Sequence, residues 1–193
     1  MTRLGVTGGI GSGKSYVCRM LAEHFGIPVY DCDARAKQLM DSDETIRQQL
    51  TALVGEQIYE GTHLVRPALA HYLFASQQHA DQVNAIVHPA VRRDFRHWAE
   101  RQTTPLVALE SAILHESGFD EEVDEVIFVD APDALRIERA MQRDAASRQQ
   151  IEARIACQQT QQAKQWSAHV VRNYPPYDAS LLEQLEMIIN KQR

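Results

Sequence analysis

The chain of 193 residues lacks several patterns that would place it in another class of protein. No apolar run approaches the roughly 20 residues that a helix needs to span a bilayer, so we expect no membrane partner. Its three cysteines have no C-x-x-C spacing and its eight histidines no H-x-x-x-H or H-E-x-x-H spacing, which argues against a disulfide framework and a zinc site. The first residues predict a strand instead of a basic and then apolar segment, so we expect no secretory signal and a cytoplasmic location.

The sequence also lacks the basic excess that general nucleic-acid binding needs, because its formal net charge is −6. The charge is unevenly distributed: residues 110–133 contain nine acidic residues and neither Lys nor Arg, whereas residues 134–172 contain seven basic and three acidic residues. A local group of arginines can attract a polyphosphate even in an acidic protein. The alternative is a solvated helix face with ion pairs between residues four apart.

One glycine-rich stretch, GVTGGIGSGKSY at residues 5–16, carries the strongest functional signal. Gly8, Gly13, Lys14 and Ser15 fit the pattern G-x-x-x-x-G-K-[ST], in which backbone N–H groups surround the phosphates of a nucleotide. The flanking residues predict a short apolar strand before the loop and a helix after it, which is the context that this motif requires. We therefore predict nucleotide binding, with Lys14 as a point charge on the phosphates and Ser15 as a hydroxyl ligand for Mg²⁺.

The spacing of apolar residues predicts alternating strands and helices, with no repeat, low-complexity segment or Gly/Ser linker between them. The pattern is typical of a parallel three-layer α/β fold with a long helical insertion between the second and third core strands. That insertion follows the carboxyl end of a strand, where a second substrate would dock. The predicted strands are 3–7, 27–31, 105–110, 125–132 and 169–172, and the predicted helices are 14–25, 33–41, 44–54, 66–75, 78–101, 132–144, 147–164 and 179–191, with interruptions at 55–63 and at His88–Pro89.

Acidic residues at the ends of predicted strands are candidates for chemistry on the phosphate. Asp31 and Asp33 follow the second strand, and alternate residues of an extended segment point the same way, so both can face the nucleotide. One of them could take the proton of an acceptor hydroxyl, and the alternative role is a cap for the next helix. Glu110 and Asp130 end the next two predicted strands and are rival candidates for contacts near Mg²⁺, or else caps.

Arginines on the predicted helices after residue 132 are candidates for closing over a nucleotide. Arg139 and Arg143 are four residues apart and share one helix face, and Arg148 and Arg154 follow in the next helix, which a predicted capping box opens. A mobile helical pair with such arginines can neutralise charge on the transferred group and exclude water. The alternative is that they are ordinary surface arginines.

Taken in order along the chain, these residues resemble the dephospho-coenzyme A kinase family, whose members catalyse the last step of coenzyme A synthesis. The resemblance runs almost from end to end, and the D-x-D, H-P and R-I-x-x-Q patterns are more selective for the family than the glycine loop. The matching segments are GVTGGIGSGKS (5–15), PVYDCDARAKQL (28–39), EGTHLVRPAL (60–69), NAIVHPAV (84–91), ESAILHESGF (110–119), VDEVIFVDAP (123–132), R-x-x-x-R-D (139–144), RIACQ (154–158) and Asn173.

The resemblance implies a P-loop NTPase fold with a parallel five-stranded core sheet, a helical acceptor-binding insertion and a helical lid. The implied reaction is transfer of the γ-phosphate of ATP to the ribose 3′-hydroxyl of dephospho-coenzyme A, with Mg²⁺ as cofactor. The sequence carries no prediction of the oligomeric state. The implied division is a single kinase chain over 1–193, with the core at about 1–32, 103–135 and 167–193, the coenzyme A acceptor subdomain at about 33–102 and the lid at about 136–166.

The resemblance also assigns roles residue by residue. It implies that Lys14, Asp33 and Arg143 are catalytic, with Asp33 as the base at the 3′-hydroxyl and Arg143 in the lid. The acceptor would contact Asp33, Arg66 and His88. ATP would be bound by Gly8, Gly9, Gly11, Ser12, Gly13, Lys14, Ser15, Tyr16, Arg139 and Arg143, with Ser15 also holding the metal ion.

A few positions depart from the family pattern. Tyr16 replaces the usual Thr after the loop serine, and Ala112 and His115 stand where the family's P-L-L-F-E segment has its proline and its aromatic residue. His169 and Arg172 stand where Asp is common. We expect these changes to retune substrate packing or the late loop and to leave the glycine loop intact.

Two other interpretations of the glycine loop are open from the residues alone. A kinase for a nucleoside, a nucleoside monophosphate or another small alcohol would share the ATP half and differ in the helical insertion. A nucleotide-dependent switch of the GTPase kind would be expected to carry N-K-x-D and D-x-x-G, and neither pattern occurs in the sequence.

Overall fold

The computed structural model describes residues 1–156, 158, 160–175 and 179–192. No helix in this described part of the chain is long and apolar enough to cross a membrane. The strands are β1 (Thr2–Thr7), β2 (Val29–Asp31), β3 (Tyr59–Glu60), β4 (His63–Leu64), β5 (Leu106–Glu110), β6 (Glu125–Asp130) and β7 (His169–Arg172). The helices are α1 (Lys14–Phe25), α2 (Cys32–Ser42), α3 (Glu44–Val54), α4 (Arg66–Ala75), α5 (Gln77–Glu100), α6 (Asp133–Asp144), α7 (Arg148–Ala156), α8 (Thr160–Trp166) and α9 (Leu181–Ile189), with short 3-10 turns at Glu56–Ile58 and Phe119–Glu122.

The chain divides into two compact units. The core unit comprises Met1–Asp31 and Gln102–Arg193, and the helical unit comprises Cys32–Arg101. The helical unit therefore occupies the interval between β2 and β5. The sequence places an acceptor subdomain at almost the same residues, and that binding role stays a prediction, as does the lid at 136–166.

The core unit contains a five-stranded parallel sheet in the order β2-β5-β1-β6-β7, which confirms the predicted fold class. The core strands are short, continuous apolar runs, as is typical of sheets that helices cover on both faces. In the central strand β1, Val6 is opposite Glu110 of β5 and Ile127 of β6. Because the five strands are parallel, their carboxyl ends lie at one edge of the sheet, and in such folds ligands bind at that edge.

Apolar side chains from β1, α1 and α9 form much of the hydrophobic core of this unit. Leu4 and Val6 of β1, Leu21 of α1 and Leu185 and Ile189 of α9 are completely buried. Each such side chain contributes about 1.5 to 3 kcal/mol of hydrophobic stabilisation. This packing fixes the start of α1 relative to the end of β1, and therefore fixes both ends of the glycine loop that joins them.

In the helical unit, the long helix α5 differs from the prediction. The sequence predicts an interruption at His88–Pro89, but α5 runs without a break through Pro89. The proline removes the helical hydrogen bond to the carbonyl of Ala85. Burial on both sides of it outweighs that loss, and Arg35 of α2 adds two hydrogen bonds to Asp94 of α5, at 2.8 and 2.9 Å. The buried residues of α5 are Val83, Val87, Ala90, Val91, Phe95 and Ala99.

Two further segments differ from the prediction, and one local motif is confirmed. The single helix predicted over 147–164 is two helices, α7 and α8, because Gln158 between them makes tertiary hydrogen bonds that override the local helical pattern. The segment 55–63, predicted as a turn, holds a 3-10 turn and the β3–β4 pair. The capping box is confirmed, since Ser147 and Gln150 exchange hydrogen bonds of 2.9 and 3.3 Å.

Pro89 provides a test of this explanation of α5. Replacing Pro89 with Ala restores a backbone donor inside the helix, so we expect the free energy of unfolding to rise by about 1 to 3 kcal/mol, measured by urea denaturation. Pro67 is the matched control, because it lies in the first turn of α4, where proline removes no helical bond. An equal gain from Pro67→Ala, or a loss from Pro89→Ala, would contradict the explanation.

Candidate active site

The glycine loop between β1 and α1 has a shape that only glycine permits. Gly11 and Gly13 have positive φ angles of 76° and 96°. A Cβ atom on Gly11 would overlap the carbonyl oxygen of Arg136, and one on Gly13 would overlap Nδ2 of Asn173. The loop therefore packs directly against the chain behind it, which leaves no room for larger residues.

The start of α1 is suited to an anion. Gly13 is the N-cap of α1 and supplies no side-chain hydrogen bond to the first turn. The N–H groups of Tyr16 and Val17 bond to the carbonyl oxygen of Gly13 at 3.0 and 3.1 Å, so the helix begins directly after the loop. A helix start without a side-chain cap carries a partial positive charge and favours phosphate. Tyr16 itself is half-exposed on this first turn.

The carbonyl groups of the loop are held by side-chain donors. Lys14 reaches back over the loop, and its Nζ donates to the carbonyl oxygens of Gly8 and Gly9 at 3.0 and 3.3 Å. Nδ2 of Asn173 donates to the carbonyl oxygen of Ser12 at 2.8 Å. Because the C=O and N–H of one planar trans peptide unit point in opposite directions, holding a carbonyl also fixes the direction of the next N–H group.

Arg136 and Gln158 also contact the loop, and the sequence assigned a role to neither. Arg136 is buried on α6, donates from Nε to the carbonyl oxygen of Ile10 at 3.0 Å and pairs with Asp133 at 2.7 Å. Gln158 accepts a hydrogen bond from the N–H of Ile10 at 2.8 Å. Two features of the sequence could have indicated these contacts with the loop. Gln158 belongs to the R-I-x-x-Q pattern, and Arg136 lies one helical turn before Arg139.

Ser15, the predicted metal ligand, lies beside an acidic residue at the end of the neighbouring strand. Its Oγ donates to Oε1 of Glu110 at 2.8 Å. Asp31 is the register partner of Glu110 in β2. Burial, and next the charge of Glu110, raises the pKa of the Cys18 thiol, so this cysteine stays protonated. Of the two rival candidates for contacts near Mg²⁺, Glu110 is the one that contacts Ser15, whereas Asp130 pairs with Lys164 at 2.8 Å.

These oxygen donors fit Mg²⁺. The ion prefers hard oxygen ligands and usually binds proteins through one or two such groups together with substrate phosphates and water. Within the described ranges, no group of three or more His, Cys, Asp and Glu side chains could hold a metal alone. The hydroxyl of Ser15 and the carboxylate of Glu110 are instead suited to an ion that arrives with the nucleotide.

The structure separates the predicted arginines into two groups. Arg139 faces the loop, donating from Nη1 to the carbonyl oxygen of Ser12 at 3.4 Å and from Nη2 to that of Asn173 at 3.0 Å. Arg143 is exposed and makes two hydrogen bonds to Asp144, at 2.7 and 3.1 Å. Surface ion pairs also hold the other two predicted arginines: Arg154 pairs with Asp144 and Arg148 with Glu152.

The three residues predicted to contact the acceptor all lie in the helical unit. Asp33 is exposed in the first turn of α2. Arg66, at the start of α4, pairs with Asp41 at 2.9 Å, and half of its side chain is exposed. His88 is half-buried on α5, where burial, and next the charge of Arg92, lowers its pKa, so the ring is neutral at pH 7. Their roles stay predictions.

His169, a departure from the family pattern, lies at the edge of the sheet opposite the glycine loop. It is the first residue of β7 and its Nε2 lies 2.6 Å from Oε2 of Glu125, the first residue of β6. This hydrogen bond, and next one from Gln192, lowers the pKa of Glu125. His115, which replaces the aromatic residue of the family pattern, packs edge-on against Trp166. The histidine at position 169 thus joins the first residue of β7 to the first residue of β6.

The ion pairs of Asp144 predict a pH dependence. Hydrogen bonds from Arg143, and then from Arg154, lower the pKa of Asp144 from 3.8 to about 2. A carboxyl group with a lower pKa in the folded state stabilises the fold above its unfolded pKa, and this contribution is lost as the pH falls from about 4 to about 2. We expect a carboxyl NMR titration of Asp144 to show a midpoint near 2 and a higher midpoint in Arg143→Gln.

The control for this titration is Arg148→Gln, because Arg148 pairs with Glu152 and not with Asp144. It should leave the Asp144 midpoint unchanged. If Arg143→Gln also leaves it unchanged, the ion pair is not the cause of the low pKa.

Comparison with known proteins agrees with this arrangement. A family model described as dephospho-CoA kinase matches residues 2–175. A dephospho-CoA kinase from Porphyromonas gingivalis is 48% identical over 179 residues, which cover 92% of this chain and 88% of that protein. A second, from Bacteroides fragilis, is 48% identical over 163 residues, covering 84% and 79%.

Solved structures share the fold of this chain. A crystal structure from Thermus thermophilus has a TM-score of 0.85 at 32% identity and covers 98% of this chain and 97% of its own. At lower identity, the fold alone is similar to a dephospho-CoA kinase from Campylobacter jejuni (20% identity, TM-score 0.68, covering 98% and 96%). It is also similar to a shikimate kinase from Acinetobacter baumannii (14% identity, TM-score 0.59, covering 100% and 95%). The family model and the relatives together show that the chain belongs to the dephospho-CoA kinase family.

Proposed function

We propose that the chain phosphorylates the ribose 3′-hydroxyl of dephospho-coenzyme A with ATP, giving coenzyme A and ADP, and that Lys14, Asp33 and Arg143 carry out the transfer. Membership of the dephospho-CoA kinase family supports the reaction. The structural observation that carries it is the glycine loop, with Lys14 lying across it and an uncapped helix start after it. The partners are therefore ATP and dephospho-coenzyme A.

ATP binds the loop through its phosphates in this proposal. Lys14 exchanges the carbonyl oxygens of Gly8 and Gly9 for phosphate oxygens, which are stronger acceptors because they are charged. Its ammonium then stabilises the γ-phosphate during transfer. Of the other predicted ATP contacts, all but two lie in the loop and the first turn of α1; Arg139 is bonded to the loop backbone, and Arg143 pairs with Asp144 on the surface.

Ser15 and Glu110 hold the Mg²⁺ that accompanies ATP. The hydroxyl of Ser15 is the ligand, and the carboxylate of Glu110 accepts its proton in a hydrogen bond of 2.8 Å and so orients it. Bound there, Mg²⁺ would neutralise charge on the phosphate oxygens during transfer. Asp31, the register partner of Glu110, adds negative charge at the same edge of the sheet.

Asp33 takes the proton of the acceptor hydroxyl. It follows the end of β2 by two residues, and β2 ends at the edge of the sheet that carries the glycine loop. Asp33 is exposed in the first turn of α2, and a carboxylate oxygen is a suitable acceptor for the proton of a hydroxyl group. Arg66 and His88 bind the acceptor: the guanidinium suits its diphosphate, and the neutral ring suits an uncharged polar group.

The helices α6 to α8 act as the lid over ATP. Arg143 pairs with Asp144 at the end of α6, and both groups are on the surface. When the lid closes, Arg143 exchanges this carboxylate for the charge that develops on the transferred phosphoryl group. Closure also excludes water, which would otherwise compete with the acceptor hydroxyl.

Another small-molecule kinase is the second candidate function. The similarity to shikimate kinases shows that this fold also carries a kinase for a different alcohol. A nucleotide-dependent switch is less well supported, because the sequence has neither N-K-x-D nor D-x-x-G. The cytoplasmic location stays a prediction from the sequence.

The test of the function is ADP formation by the purified protein with Mg-ATP and a panel of acceptors. We expect turnover with dephospho-coenzyme A and none with nucleosides, nucleoside monophosphates, shikimate or water. Lys14→Ala should nearly abolish it, whereas Lys37→Ala, a substitution of an exposed lysine on α2, should not. Turnover with another acceptor alone would remove the proposed function, and ADP release with water alone would indicate an ATPase or a switch.

Asp33→Asn tests the base. We expect kcat to fall by about 100-fold or more, because general-base catalysis contributes about 100- to 10,000-fold, while the Kd for ATP stays that of the wild type. Asp81→Asn, on the exposed face of α5, is the matched control and should leave kcat unchanged. Unchanged turnover in Asp33→Asn would remove Asp33 from the role of base.

Glu110→Gln tests the metal site. The amide keeps the size of the side chain but loses the charge that orients Ser15, so we expect the Mg²⁺ concentration for half-maximal activity to rise by about tenfold. Glu121→Gln is the control, since Glu121 is an exposed carboxylate in the same acidic segment. A metal requirement that moves equally in both variants, or in neither, would show that Glu110 does not support the ion.

A further inference from the structure

Arg136 and Gln158 hold both backbone groups of Ile10 from behind the glycine loop. Oε1 of Gln158 accepts a hydrogen bond from the N–H of Ile10 at 2.8 Å, and Nε of Arg136 donates to the carbonyl oxygen of Ile10 at 3.0 Å. The two side chains also approach each other, with Nη2 of Arg136 3.4 Å from Oε1 of Gln158. We call these three residues the Ile10 bracket.

The Ile10 bracket sets the direction of two consecutive peptide units. The N–H of Ile10 points to Gln158, so the carbonyl of Gly9 in the same unit points the opposite way, where Nζ of Lys14 contacts it at 3.3 Å. The carbonyl of Ile10 points to Arg136, so the N–H of Gly11 also points the opposite way. The N–H of Gly11 therefore faces the same side of the loop as the ammonium of Lys14.

The guanidinium of Arg136 is built into the back of the loop. The residue is only 4% exposed, and Nη1 pairs with Asp133 at 2.7 Å, so its charge is compensated. A Cβ atom on Gly9 would overlap this guanidinium, and one on Gly11 would overlap the backbone carbonyl of Arg136. The packing of α6 against the loop thus requires glycine at these two positions.

We infer that Arg136 and Gln158 are positioning residues, which hold the N–H of Gly11 towards the phosphates of ATP before ATP binds. The inference rests on the proposed function, because it takes ATP as the ligand of the loop. Neither side chain touches the nucleotide; both act through the backbone of Ile10. A loop that already has its bound shape loses less conformational entropy on binding, so affinity increases. Gln158 lies between α7 and α8, and through it these helices are connected to the loop.

Gln158→Met tests this role, because methionine keeps the length of the side chain and removes the acceptor for the N–H of Ile10. We expect the Kd for Mg-ATP, measured by calorimetry without any acceptor, to rise by about tenfold, which corresponds to about 1.4 kcal/mol. Gln158→Glu keeps an acceptor and places a carboxylate beside Arg136, so it should restore a Kd close to that of the wild type. Gln149→Met makes the same chemical change on the exposed face of α7 and is the matched control.

The inference also predicts which quantities do not move. The KM for dephospho-coenzyme A and the melting temperature should stay near the wild-type values in Gln158→Met. An unchanged Kd for Mg-ATP would overturn the inference, and so would tighter binding, which would mean that Gln158 competes with a phosphate for Ile10. Equal losses of affinity and of melting temperature in Gln158→Met and Gln158→Glu would also overturn it, because they indicate a packing role.

The calorimetry separates this inference from the proposed function. A wild-type protein that binds Mg-ATP but does not phosphorylate dephospho-coenzyme A would contradict the proposed function, and the comparison of Kd values would still decide the role of Gln158. A wild-type protein that does not bind Mg-ATP would overturn both.

Discussion

When the N–H groups of a loop turn towards a phosphate, its carbonyl groups need other partners, and side chains of the core unit supply them to the glycine loop. Ordering one backbone residue costs about 1 to 2 kcal/mol, and glycine loses the most freedom of all residues. A single side-chain hydrogen bond returns only about 0.5 to 1.5 kcal/mol, so one donor cannot hold such a loop. In this chain the task is shared by Lys14 at the end of the loop and by two donors from distant segments, Arg136 and Asn173.

The uneven charge of the sequence has two separate outcomes in the structure. At the start of the basic segment, Arg136 and Arg139 donate hydrogen bonds to carbonyl groups of the glycine loop. Further along, Arg143, Arg148 and Arg154 pair with nearby carboxylates on the surface. The contacts thus divide the arginines into loop-bound and surface residues, and the predicted roles of Arg139 and Arg143 at ATP stay predictions. Position on the helix accounts for this division, because Arg136 and Arg139 lie in the part of α6 that contacts the loop and Arg143 lies one turn further along.

The sequence predicted the elements better than the contacts between them. All five core strands and the loop were predictable because each is a continuous local pattern, as GVTGGIGSGKS is at 5–15. The partners of Ile10 were not predictable, because they are 126 and 148 residues away and no local periodicity encodes such a pair. The course of α5 through Pro89 was missed for a similar reason: the local rule predicts a break, and burial along both halves of the helix overrides it. From the sequence, Glu110 and Asp130 were rival candidates for contacts near Mg²⁺. Only the structure distinguishes them, because β5 pairs with β1 in a register that brings Glu110 to Ser15.

The division of the chain into two units separates the residues predicted for ATP from those predicted for the acceptor. All predicted ATP residues belong to the core unit, and all predicted acceptor residues belong to the helical unit. The fold as a whole is shared with a shikimate kinase that is only 14% identical to this chain. The two units follow one another at Asp31–Cys32, and Asp31 is the register partner of Glu110. The proposed base, Asp33, is therefore two residues from the end of β2, whose last residue lies opposite the carboxylate that we propose for the Mg²⁺ site.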